Sequence, residues 1–112
     1  MNSETRVVIA SEANIQIRSI QDVPDVIGAV FGADGLLLSE LELSPEFFDL
    51  STGIAGELFQ KCTNYQIRAG IVLGNPNSYG ERFSELVFEH QNHKLIRFFD
   101  SIEAARTWLE NA

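Results

Sequence analysis

Two hydroxyl-bearing residues, Ser51 and Thr52, stand directly before Gly53 and a run of helix-forming residues that includes Gly56. A hydroxyl at a helix start accepts from an otherwise unpaired backbone N–H, and those N–H groups, with the positive end of the helix dipole, favour an anion or a phosphoryl group. The chemistry on offer is therefore capping or anion binding. Asp49 precedes the pair, and Phe47 and Phe48 precede Asp49. Two consecutive aromatic rings in a tight turn are hard to bury together, so one of them is expected on a contact surface. Glu40, Glu42, Glu46 and Asp49 form an acidic stretch that reads as a solvated loop, with no two of them marked as a catalytic pair.

The remaining chemistry-bearing residues point to structure. His90 and His93 lie near Glu89, but a His-x-x-His at a helix end without a second ligand cluster reads as a solvated terminus, not a metal site. Residues 74–80 follow an apolar run and open a helix, yet lack the Lys-Ser/Thr ending of a phosphate loop and the dinucleotide glycine pattern. There is no G-x-S-x-G elbow, and no nucleophile, base and orienting group assemble from spacing. No catalytic residue and no cofactor are expected. Cys62 falls on the inner stripe of a helix and reads as core.

The elements that position these residues follow from hydrophobic periodicity. Residues 7–10 read as a strand, and Ile15 and Ile17 alternate with polar neighbours, which predicts an N-terminal antiparallel hairpin turned by residues 11–14. Val23, Val26, Ile27, Val30 and Phe31 recur at helical spacing, with Ser19 and Asp22 as capping residues, Pro24 in the first turn and stop signals at Gly32 and Gly35. Leu36, Leu37 and Leu38 predict a strand buried on both faces. A short helical turn is expected near 45–49, with Ser44 as cap and Pro45 at the first position. A longer helix then starts around Ser51 or Thr52, its inner stripe Ile54, Leu58, Cys62 and Tyr65 widened by Ala55 and Phe59.

Ile67 and residues 69–73 predict another buried strand, and Gly74-Asn75-Pro76-Asn77 a turn. Ser78 and Glu81 have capping-box spacing ahead of a helix carrying Phe83, Leu86, Val87 and His90 on one face. Residues 95–99 make the last strand. Asp100 and Glu103 again have capping spacing, before a helix with Ile102, Ala105, Trp108 and Leu109 inward. The order β-β-α-β-α-β-α-β-α defines an α/β fold, a mixed and mainly parallel sheet of about five strands covered by helices. At 112 residues with no linker or repeat, residues 1–112 form one domain.

Composition narrows the partners. Sixteen acidic against eight basic residues give a formal charge of −8, and the basic residues are scattered, so nucleic acid and anionic membrane surfaces are disfavoured. Neutral or basic partners fit better. One cysteine excludes an internal disulfide framework, the first residues lack the features of a secretory signal, and no apolar run is long enough to insert in a bilayer. The cytoplasm is the expected compartment, with the chain a monomer or weak homodimer.

A buried strand, an acidic loop and then Asp49 through Ile54 resemble the STAS domains, the bacterial anti-sigma-factor antagonists and their relatives. The closing strand and the Asp100-Ser101-Ile102-Glu103-Ala104-Ala105 run are similar to that family too. The stretch from Phe47 to Tyr65 looks like the signature of an uncharacterised bacterial family, domain of unknown function 4180, of STAS-like fold. The resemblance implies a non-enzymatic regulatory module that binds a protein partner, with Thr52, or its neighbour Ser51, as phosphoacceptor. The chain departs from the STAS motif by an extra Leu50 and by the 44–48 turn. The binding surface is accordingly read as Phe47, Phe48, Asp49, Ser51, Thr52 and Gly53, with Asn75 and Asn77 on the facing turn. The alternative is a small ligand (an anion, nucleotide or lipid) in the cleft between the 49–53 loop and the 74–78 turn.

Overall fold

A computed structural model describes residues 5–111; the first four residues, part of the stretch on which the absence of a leader was read, lie outside the described residues. Four strands, β1 (Val7–Ile9), β2 (Gly35–Ser39), β3 (Arg68–Val72) and β4 (Ile96–Phe99), pair in parallel in the order β1-β2-β3-β4. With every connection stepping the same way, right-handed crossovers place all the connecting helices on one face. The core agrees. Val23, Val26, Ile27 and Val30 of α2 (Asp22–Val30), Ile54, Leu58 and Cys62 of α4 (Ile54–Asn64) and Phe83 of α5 (Glu81–Glu89) join Leu36, Leu38, Ala69, Ile71 and Ile96 in one cluster. The alternate residues of the strands face the other way. There α6 (Ile102–Glu110) sets Ala105 and Leu109 on Leu37, with Val7, Ile9, Val72 and Phe99 packed around them.

The expected N-terminal hairpin is absent. After β1 the chain turns into a four-residue helix, α1 (Ala10–Ala13), capped by Asn14 in the left-handed region. Ile17 then makes an isolated parallel bridge to Leu43, its N–H donating to Glu42 O and its carbonyl accepting from Ser44 N–H. Among the described residues the sheet therefore has four strands, all parallel, in place of about five in a mixed sheet. Ile15 and Ile17 are buried, so their alternation was real, but it marks an extended segment tucked against the chain that follows β2, at Leu43.

Helix starts also sit differently from their sequence signals. The 3₁₀ turn Leu50–Thr52 precedes α4, whose cap is Gly53 at φ 82°, not a hydroxyl residue. Ser78 lies in the 3₁₀ turn Pro76–Tyr79, and α5 is capped by Gly80 at φ 100° without a side-chain bond. At α6 the cap is Ser101, whose Oγ accepts from Ala104 N–H, not Asp100. Ile102 and Tyr65, expected inward, are exposed; Tyr65 stands at the end of α4, edge-on to exposed Phe31. The basic residues are also less scattered than in the chain. Arg68 and Arg97, on the α6 side of adjacent strands, lie 4.1 and 5.1 Å from the centre of the Trp108 ring.

Leu109 is wedged over two strand glycines, so α6 approaches the sheet closely. A Cβ on Gly35 would lie 2.9 Å from one Leu109 methyl and 3.4 Å from Arg68 O, while one on Gly70 would meet the other methyl at 3.3 Å. Leu109 cannot yield at one glycine without pressing on the other. Gly35→Ala is expected to lower stability by ~1–3 kcal/mol through overpacking. Gly28→Ala, in α2 with nothing within 4 Å of the added Cβ, should raise it by about 0.4–1 kcal/mol. Urea denaturation of the two variants checks both; equal effects would contradict the close approach of α6.

Candidate functional site

The loops after β2 and β3 lie side by side at the carboxyl ends of these strands, the end of a parallel α/β sheet at which ligands bind. The sequence from Ser39 to Leu50 builds one wall. Ser39 caps a 3₁₀ turn, Glu40–Glu42: its Oγ accepts from Leu41 N–H, and the Glu42 carboxylate accepts from Ser39 N–H at 2.8 Å. Glu42 is thereby buried with its carboxyl group bonded by the Ser39 N–H and the Ser39 hydroxyl. Glu40 is left half-buried and directed across the gap. The acidic stretch is thus not wholly a solvated loop.

Glu40 joins the two loops. Its Oε2 accepts from Gly74 N–H at 2.9 Å, and its Oε1 accepts from the Tyr79 hydroxyl. Tyr79, so held, stacks on Phe48 with ring centres 3.7 Å apart and planes 9° from parallel. Phe48 and Tyr79 both meet the buried Phe83 edge-on. The turn after β3 supports this from below: Asn75 Oδ1 accepts from Asn77 N–H at 3.0 Å, and Asn77 Oδ1 accepts from Ser84 Oγ at 2.8 Å, which ties the turn to α5.

The result is an open groove of about 620 Å³. Leu43, Pro45, Phe48, Asp49 and Leu50 form one side, residues 78–83 the other, and Glu40 the inner end. Its apolar floor is bordered by the carboxylates of Glu40, Asp49 and Glu81 and by one guanidinium, Arg82. Hydrogen bonds from the Ser51 hydroxyl, at 2.6 Å, and from Ser51 N–H hold the Asp49 carboxyl below the usual carboxylate range. Burial, reinforced by the bond to Glu40, pushes the Tyr79 phenol up to about 12.

The residues expected to form the site divide. Asp49 and Phe48 line the groove, though Phe48 is only 8% exposed. Phe47 does not: it is fully buried against Phe48, Phe59 and Phe83, and so contributes no contact surface. The short α3 (Pro45–Phe48) buries both consecutive rings because one points into the α4–α5 core and the other under Tyr79. Ser51, Thr52, Gly53, Asn75 and Asn77 are outside the groove lining. Thr52 Oγ1 lies 2.8 Å from both Glu46 O and Asp49 O, closing the α3–α4 turn. Leu43, Tyr79 and Arg82 were not read as site residues from the sequence, and Glu40 was read only as part of the solvated acidic stretch. The signal available for Tyr79 was an aromatic residue inside an otherwise polar Pro-Asn-Ser-Tyr-Gly turn.

The other reactive side chains are committed. Burial pushes the Cys62 thiol up to about 12, so it stays protonated in the core. His93 Nδ1 accepts from Leu95 N–H and Ile96 N–H, both at 3.1 Å, and His90 Nδ1–H donates to Leu86 O. No group of three or more His, Cys, Asp or Glu residues among the described residues is placed to hold a metal ion. No described helix is long and apolar enough to cross a membrane.

Fold and groove together define an α/β fold with a parallel four-stranded sheet and a cleft at its strand ends. The family model described as Domain of unknown function (DUF4180) matches residues 2–109, and the chain belongs to that family. Neither the curated proteins nor the solved structures contain a match.

The Tyr79–Glu40 bond is open to direct titration. Ultraviolet titration should find Tyr79 ionising near pH 12 in the native protein. In Glu40→Gln the value should fall, yet remain above the free-tyrosine value of about 10 because burial persists. An unchanged Tyr79 titration in that variant would show that the Glu40 carboxylate is not its partner.

Proposed function

We propose that this chain is a non-enzymatic, STAS-like interaction module of bacterial type, acting in the cytoplasm, whose binding site is the groove between Leu50 and Tyr79. The observation that carries this reading is the Phe48–Tyr79 stack, an aromatic floor fixed by Glu40 at the carboxyl ends of β2 and β3. A partner that inserts one large apolar side chain there gains a well-packed, desolvated anchor, the usual source of affinity in a protein interface. Leu50, the residue by which the chain departs from the STAS motif, forms part of the wall.

The hydroxyl pair supplies the switch in this reading. A phosphoryl group on Ser51 adds about −1.5 to −2 charge. It would sit where the Ser51 hydroxyl now bonds to Asp49, a groove residue, and drive the two apart. On Thr52 it would remove the donor that closes the α3–α4 turn. Either change alters the rim without touching the floor. The second reading, a small ligand in the same groove, is supported by the groove's position and by a volume within the ~300–1,000 Å³ of ligand sites.

Photo-crosslinking in the native host tests the proposal. A benzophenone amino acid in place of Leu50 is expected to yield one discrete protein adduct, and the same group in place of exposed Gln60 none. Ser51→Glu should reduce the Leu50 adduct about tenfold if charge at this position controls access. Equal labelling from both positions would overturn the groove as the binding site. No adduct, together with a retained small molecule in the native mass spectrum, would establish the ligand reading instead.

A further inference from the structure

Helix α5 runs outward from the groove and carries Glu81, Glu85 and Glu89 at successive four-residue intervals, which puts all three on one face. Like charges at this spacing oppose the helix, and helices usually offset them with interleaved basic residues. The one interleaved basic residue of this helix, Arg82, forms no ion pair with them: the ion pairs among the described residues are Lys61–Glu57 and Arg106–Glu110. Beside the row stands Phe88, 68% exposed although its neighbours Leu86 and Val87 pack on the core. Glu81, Ser84, Glu85, Phe88 and Glu89 line a shallow hollow, and Glu81 also borders the groove, so the two depressions adjoin at that residue.

We infer that the groove and the outer face of α5 form one docking surface for a basic, amphipathic segment of a protein partner. The occupant follows from charge complementarity. Three carboxylates spaced over ~12 Å of helix, with an aromatic ring alongside, match a segment presenting two or three Lys or Arg residues beside an apolar one. Its leading apolar residue enters the groove, where Asp49 and Glu81 flank the mouth. An acidic partner meets Arg82 as the one counter-charge in the groove and is repelled along the α5 row, and a neutral one gains only the anchor. The overall charge of −8 steers the same class of partner toward this protein. This inference rests on the groove reading and adds the partner's chemistry to it.

The test is selection from a displayed library of random 12-residue peptides against the intact protein, followed by affinity measurements on the enriched peptides. Enriched sequences are expected to be basic with one large apolar residue. They should bind about tenfold or more weakly to Glu85→Lys/Glu89→Lys, and to weaken steeply with salt. The control Glu12→Lys/Glu103→Lys makes the identical change in net charge at exposed sites elsewhere and should alter affinity by less than about twofold. Phe88→Ser should weaken the same peptides, and Leu50→Ser provides a groove variant that leaves the buried rings in place. Peptides that lose affinity in Leu50→Ser but are neutral, and indifferent to the α5 reversal, would overturn the inference while leaving the groove reading intact. Peptides sensitive to α5 and insensitive to Leu50→Ser would overturn the groove as the anchor. Enrichment of acidic peptides, or of none, would overturn the docking surface altogether.

Discussion

The Glu40 carboxylate is the constraint on which the groove side of this molecule depends. It leaves the end of β2 and accepts one bond from the backbone of the β3–α5 turn and one from the Tyr79 hydroxyl. A half-buried carboxylate with both oxygens engaged holds the two loops at a fixed separation, since a charged acceptor makes stronger hydrogen bonds than a neutral one. Tyr79 then has one place for its ring, over Phe48, and the stack roofs the Phe47–Phe83 core while flooring the groove. The separation of the two loops and the apolar floor follow from that one side chain.

What fixes Glu40 is in turn the sheet. Parallel strands in sequential order place the loops after β2 and β3 side by side at one end. The Ser39–Glu42 capping box sets the direction in which the chain leaves β2. Buried Glu42 and projecting Glu40 are two residues apart in one short turn, which gives acids of similar appearance in the sequence opposite roles: one closes its own turn, the other reaches across the fold. On the opposite sheet face, α6 holds through the close fit of Leu109 over Gly35 and Gly70. The site loops therefore rest on a sheet covered on both sides by helices.

Much of this was legible because it is local. The triple leucine of β2, the stripe of α4 and the buried Cys62 follow from periodicity, and the turn at 74–77 from its Gly, Asn and Pro. The hairpin was misread because alternation at Ile15 and Ile17 describes any extended segment with one face buried; pairing depends on the distant Leu43. Caps were displaced by one or two residues wherever a positive-φ glycine, at Gly53 and Gly80, took over the cap from a nearby hydroxyl. Phe47 was misplaced because adjacent side chains in a single helical turn diverge by about 100° and can find separate burial sites. Asp49 and Phe48 were found at the site, whereas Glu40 and Tyr79 were not. Their contact spans 39 residues, and no local pattern distinguishes a bridging glutamate from a solvated one.

Amide hydrogen exchange at Gly74, compared between the native chain and Glu40→Ala, tests the bridging role of Glu40 most directly. The structure requires the Gly74 amide to be protected in the native protein by its 2.9 Å bond to Oε2. In Glu40→Ala that protection should vanish and faster exchange spread through residues 74–80, while amides of β2 and β3 stay protected. A Gly74 amide that exchanges freely in the native protein, or at the same slow rate in the variant, would contradict the account and detach the groove from the carboxylate said to hold it open.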